Sequence, residues 1–208
     1  MPLYRNGRKL VLFVHIPKTG GSTVEEVLKA AGAAQALKYH KRLGYSKSTP
    51  QHMTWDITRH WVPRDFYDFA FTVVRNPVAR MASEYRWRGT VSATALPDFD
   101  AWANKHMSLH AQNPYLLDNH IRPQADFTGP RVRIFRLEDG LEDPIRIGLK
   151  RLGLEGGDVP IHHARKSRIE DLQVTPQTLD RIRAFYRVDY ETFGYSPNTP
   201  LPRGLVLK

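Results

Sequence analysis

Lys18 stands in the run His15-Ile16-Pro17-Lys18-Thr19-Gly20-Gly21-Ser22-Thr23. One cation, three hydroxyls and a glycine pair so close together are the makings of an oxyanion site. The glycines let the backbone turn tightly and approach a ligand. Ser22-Thr23-Val24-Glu25 reads as a helix start, with Ser22 and Glu25 spaced as a capping box. A helix N-terminus adds unpaired N–H groups and a partial positive charge, so phosphate or sulfate is the natural occupant. The rival reading is an ordinary strand-to-helix turn. A nucleoside-triphosphate loop would read G-x-x-x-x-G-K-[ST]. Here the lysine precedes the glycines, and Gly20-Gly21-Ser22 stands where Gly-Lys-Ser would be. No apolar run ending in Asp supplies a Mg²⁺ site, so the loop is read as holding its anion without a metal.

A second candidate follows the apolar run Phe69–Arg75. Arg75 leaves that strand at its carboxyl edge, where open α/β sheets bind ligands. A guanidinium there can grip a phosphate through two parallel bonds. Asn76-Pro77 then starts a helix, with Asn as N-cap and Pro at the first helical position. Ser83 lies about two turns into it, and shares an anion with Arg75 only if that anion lies alongside the helix.

HIPKTGGST resembles the 5′-phosphosulfate loop of the sulfotransferases, especially the branch with heparan sulfate 2-O-sulfotransferase and its short bacterial relatives. Val73–Tyr85 (VVRNPVARMASEY) is similar to the family's 3′-phosphate site. The resemblance implies a donor, 3′-phosphoadenosine 5′-phosphosulfate (PAPS). Pro17, Lys18, Thr19, Gly20, Gly21, Ser22 and Thr23 would face its 5′ end, and Arg75 and Ser83 its 3′-phosphate. It also implies that Lys18 neutralises the leaving phosphate oxygen and that His52, in Gln51-His52-Met53-Thr54, is the general base. An ordinary imidazole pKa of ~6.5 suits that role near neutrality. The other reading of His52 is an exposed residue at a helix start. His120–Gln124 (HIRPQ) is similar to a segment of carbohydrate-directed relatives, which implies acceptor contacts from His120, Arg122 and Gln124; a merely polar, proline-containing loop is the equal alternative. Relatives often carry Asn-x-Ser where this chain has Arg165-Lys166-Ser167, so Arg165 and Lys166 are expected to touch the donor phosphate instead. Phe135-Arg136-Leu137-Glu138 looks like a later strand of the family, and Tyr186–Tyr195 like its C-terminal signature, read here as aromatic core packing.

The elements that must position these groups alternate. Lys9–His15 and Phe69–Arg75 read as buried strands and Val132–Arg136 as a third strand, and helices are expected from Ser22 to about Ala31, from Pro77 to about Trp87, and over 98–106, 141–152 and 176–186. Glu84 is placed to pair with Arg80 and Arg88 across one turn. The pattern predicts a single α/β domain over 1–195, a P-loop-like parallel sheet flanked by helices on both faces as in the sulfotransferase fold, with an extended tail over 196–208. Residues 39–49, basic and polar, read as a loop or lid.

Composition narrows the partners. A formal charge of +10 attracts anions: nucleotides, sulfated or carboxylated sugars, nucleic acid. None of the usual nucleic-acid-binding motifs is present, so a nonenzymatic polyanion-binding module and a small-molecule kinase are the rivals to the sulfotransferase reading. Neither His162-His163 nor any other group shows metal-ligand spacing. The absence of cysteine excludes disulfide and thiol chemistry. No run is long enough to span a bilayer and no cleavage-site pattern follows Leu10–Val14, so a cytoplasmic protein is expected. Trp55, Trp61, Trp87 and Trp102 could stack on sugars or pack the core.

Overall fold

A computed structural model describes residues 1–38, 44, 46–154 and 171–208. These fall into two compact units, the described residues of Met1–Val74 with Asp126–Ala164 and those of Arg75–Ala125 with Arg165–Lys208. The protein is a mixed α/β structure with a central five-stranded sheet flanked by helices.

The first unit holds that sheet. Its strands are β1 (Leu3–Asn6), β2 (Lys9–Val14), β3 (Ala34–Ala36), β4 (Phe69–Val74) and β5 (Val132–Arg136), in the order β3-β1-β2-β4-β5. The three strands read from the sequence form its parallel part, β2 beside β4 and β4 beside β5. β1 pairs antiparallel with β2 and β3, so the sheet is mixed. Those two short strands carry polar residues (LYRN, AQA), which hid them from a search for apolar runs.

Helices α1 (Gly21–Ala30) and α5 (Glu142–Leu152) pack on one face of this sheet. Val24, Val27 and Leu28 of α1 and Ile145, Leu149 and Leu152 of α5 meet Val11, Phe13, Phe71 and Val73. Leu12, Val14, Ala70 and Val74, of the opposite parity, are buried as well, which gives the continuous apolar runs of strands covered on both faces. The 3₁₀ turn Pro50–His52 and helix α2 (Trp55–Trp61) complete the part of this unit that matters for the site.

The second unit is built on α3 (Pro77–Val91), α4 (Phe99–Gln112), α6 (Pro176–Phe185) and α7 (Arg187–Phe193), with the parallel strand pair β6 (Leu172–Val174) and β7 (Leu205–Leu207). Met81, Trp102, Met107, Ile121, Ile182 and Tyr186 lie in its core. The side-chain oxygen of Asn76 accepts from the N–H groups of Val78 and Ala79, both at 3.1 Å, so α3 starts where the Asn-Pro pair indicates. It does not stop near Trp87. One interior glycine costs about 1 kcal/mol, and Gly89 keeps a negative φ, so the helix runs on to Val91. The tail turns at 197–199 and 203–204 before Leu205–Leu207 forms β7, so it is extended only at that strand. No helix among the described residues is long and apolar enough to cross a membrane.

Candidate functional site

In the first unit, β2 delivers the chain into the loop. The Thr72 hydroxyl on β4 donates to the Val14 carbonyl at 2.7 Å, and the Thr19 hydroxyl donates to the Ile16 carbonyl at 2.9 Å. Lys18 (φ 70°) and Gly20 (φ 84°) both adopt left-handed backbone. A lysine in that region costs roughly 1–2 kcal/mol and persists only where the surroundings hold it. Such alternations of backbone hand turn successive N–H groups toward a common anion.

The glycine pair is demanded twice. A Cβ on Gly20 would stand 3.1 Å from methyls of both Leu137 and Leu141, besides its disfavoured φ. A Cβ on Gly21 would fall 2.6 Å from the His15 ring. Gly20, not Ser22, is the N-cap of α1, and no side chain caps this helix. Ser22 is exposed and Pro17, Thr19 and Thr23 are buried. The capping-box reading therefore fails at Glu25, whose side chain turns inward.

Glu25 anchors a buried polar cluster under the loop. Nδ1 of His15 donates to its Oε1 at 2.5 Å, and Lys38 reaches Oε2 at 2.9 Å. The Gln51 amide donates to both carboxylate oxygens, at 3.0 and 3.3 Å, and sits 3.0 Å from His15 Nδ1. The N-terminal ammonium donates to the carbonyls of Pro50 and Gln51, the latter at 2.7 Å, which pins the turn. His52, half-buried at the end of that turn, sets its ring edge-on to His15 with centroids 5.3 Å apart. The imidazole of His15 thus touches the helix start at Gly21 on one side and His52 on another.

In the second unit, half-buried Arg75 precedes α3, and Ser83 is partly exposed on that helix. The HIRPQ segment is strapped down by buried side chains. The guanidinium of Arg80, itself 0% exposed, donates to the carbonyls of His120 (2.8 Å) and Arg122 (2.9 Å). The Tyr186 hydroxyl donates to the Ile121 carbonyl at 2.7 Å, and Asp189 accepts from the N–H groups of Gln124 and Ala125, both at 2.9 Å. Gln124 is 0% exposed. It is therefore no surface group for a sugar, and its amide is taken up inside the unit by Arg75 and Asp189.

His120 bonds Glu84 at 2.8 Å and stacks on Trp87, with centroids 5.1 Å apart. Arg122 lies over the Tyr115 ring. Glu84 pairs with Arg88 at 2.7 Å as expected, whereas Arg80 turns to the strap carbonyls instead. Of the other tryptophans, Trp102 is core, Trp61 is exposed and Trp55 lies against Gly129. Arg165 and Lys166 lie outside the described residues, as do His40, His162 and His163.

A family model described as the sulfotransferase family matches residues 2–196, a span that takes in the loop, Arg75, Ser83 and the strap. The chain belongs to the sulfotransferase family. No curated protein and no solved structure matches it. Membership makes this sulfotransferase a transferase of sulfuryl groups, in a family that generally draws them from PAPS.

Two buried carboxylates of this sulfotransferase are held ionised well below the ordinary carboxylate range. Burial pushes the pKa of Glu25 up, but the bond and charge of His15, and then those of Lys38, outweigh it and bring it down to about 2. Burial acts the same way on Glu84, and His120 and then Arg88 bring it to about 2. A carboxylate depressed from an unfolded value of 4.5 contributes stability that is complete above pH 4.5 and lost as pH falls through its folded pKa. Each contribution is about 3 kcal/mol. The urea midpoint is therefore expected to drop steeply between about pH 4.5 and pH 2, and less steeply in Glu25→Gln. A midpoint constant down to pH 2.5 would contradict this.

Proposed function

We propose that the chain moves a sulfuryl group from PAPS to a hydroxyl of a carbohydrate acceptor by in-line transfer. The loop at Lys18 takes the 5′-phosphosulfate, and Arg75 and Ser83 read the 3′-phosphate. The acceptor oxygen forms a bond to sulfur as the bond from sulfur to the bridging phosphate oxygen breaks. The acceptor proton goes to His52, and 3′-phosphoadenosine 5′-phosphate (PAP) departs. Sulfuryl transfer makes the demands of phosphoryl transfer, where positioning and charge stabilisation supply most of the rate. The ammonium of Lys18 is suited to the charge that grows on the leaving phosphate oxygen.

The observation that carries this reading is the placement of His15. Its ring contacts both Gly21, where the loop becomes α1, and His52. A base and a phosphosulfate loop belong one imidazole apart if the acceptor hydroxyl is to lose its proton while it attacks sulfur. The carbohydrate choice is compatible with the net charge, which attracts anions, sulfated or carboxylated sugars among them.

The donor is tested by thermal shift. PAP is expected to raise the melting temperature more than AMP at equal concentration, since a ligand stabilises according to its affinity for the folded state. Equal shifts would remove the case for PAPS.

A further inference from the structure

Arg75 stands one residue past β4, where the sheet no longer fixes the main chain. Its backbone is held another way. Its N–H donates to Gln124 Oε1 at 2.9 Å, and its carbonyl accepts from Gln124 Nε2 at 2.8 Å. One side-chain amide thus takes both main-chain groups of Arg75, as a neighbouring strand would.

Gln124 is held in turn. Its own N–H donates to Asp189 Oδ2 at 2.9 Å, and its Nε2 lies 3.3 Å from the same oxygen. That contact settles which end of the amide faces which group: an oxygen next to the carboxylate would be repelled. Asp189 is buried on α7 and also accepts from Ala125. With Arg80 on the carbonyls of His120 and Arg122, and Tyr186 on that of Ile121, three buried side chains, Asp189 among them, fix the strap along its length. A buried strap held so heavily, ending in an amide aimed at one residue's backbone, is a positioning device.

We infer that Gln124 is a donor-side positioning residue, which sets the direction of Arg75 and thereby the recognition of the 3′-phosphate. The inference rests on the proposed reading of Arg75. It moves Gln124 from the acceptor groove, which the family resemblance implied as one of two equal readings, to the donor. The length of the side chain matters: asparagine is too short to span both bonds, and methionine fills the space without either.

The test compares dissociation constants for PAP and AMP, by calorimetry, in the wild type, Gln124→Met, Gln124→Asn and Arg75→Ala. A loosened fold weakens both nucleotides together, whereas a misdirected Arg75 weakens PAP alone. The wild type is expected to prefer PAP, and Gln124→Met to lose about 10-fold or more of that preference while AMP binding holds. Gln124→Asn should not restore it. Should Gln124→Met fail to fold, Asp189→Asn, which removes one acceptor and leaves Gln124 in place, carries the test with a smaller loss of the same ratio. A folded Gln124→Met, or in its absence a folded Asp189→Asn, that keeps the full preference, or weakens both nucleotides equally, overturns the inference alone. A wild type without preference for PAP removes the donor reading, and the inference falls with it.

Discussion

His52→Ala is expected to lower the transfer rate by about 10²–10⁴-fold, the range general-base catalysis supplies, and to leave PAP binding unchanged. The geometry argues for that split. His52 sits at the end of a 3₁₀ turn fixed by Gln51, whose amide is held by Glu25, and by the N-terminal ammonium. The turn keeps its place when the imidazole is removed, so the loss falls on turnover. His15 cannot take over the role, because its Nδ1 is committed to Glu25 and its ring is packed against Gly21. The kcat measured with saturating PAPS checks this, with PAP binding as the control. Unchanged turnover would retire His52 as the base.

For Lys18→Ala the second large effect is expected, a loss of about 10²–10³-fold in kcat together with weaker donor binding, if its ammonium stabilises charge in the transition state. The backbone of Lys18 separates side chain from strain. At φ 70° an alanine inherits the left-handed cost and a glycine does not. If the ammonium is the active part, Lys18→Gly, although better suited to the loop, is as impaired as Lys18→Ala. Recovery of activity in the glycine variant would assign the residue a backbone role instead. Single-turnover rates for the two variants decide between these outcomes.

The sequence reveals those parts of the molecule whose causes are local. β2 and β5 are apolar or β-branched runs bounded by turn residues, and their limits follow from that. Asn76-Pro77 starts α3 because cap and first turn lie in neighbouring residues. The loop residues Lys18, Gly20 and Gly21 stand out for the same reason.

What stays hidden depends on partners far along the chain. Ser22 and Glu25 satisfy the spacing of a capping box, yet His15 and Gln51 draw Glu25 inward. In the sequence, Gln51 is marked only as the neighbour of His52. Asp189, Tyr186 and Arg80 look like parts of an aromatic signature and a helix face, while their bonds reach 40 to 65 residues away. HIRPQ was legible as a motif. That its glutamine faces inward could not be read, because polarity in a sequence does not say whether a polar group meets solvent or another buried chain.

The measurement that tests the central claim most directly is the transfer of labelled sulfuryl from PAPS to a panel of glycans and small hydroxylated acceptors. Label is expected to appear on at least one carbohydrate hydroxyl, with release of PAP in equal amount and no transfer of phosphate from ATP in the same assay. PAPS left intact in the presence of every acceptor, or phosphate transferred from ATP, would contradict the account.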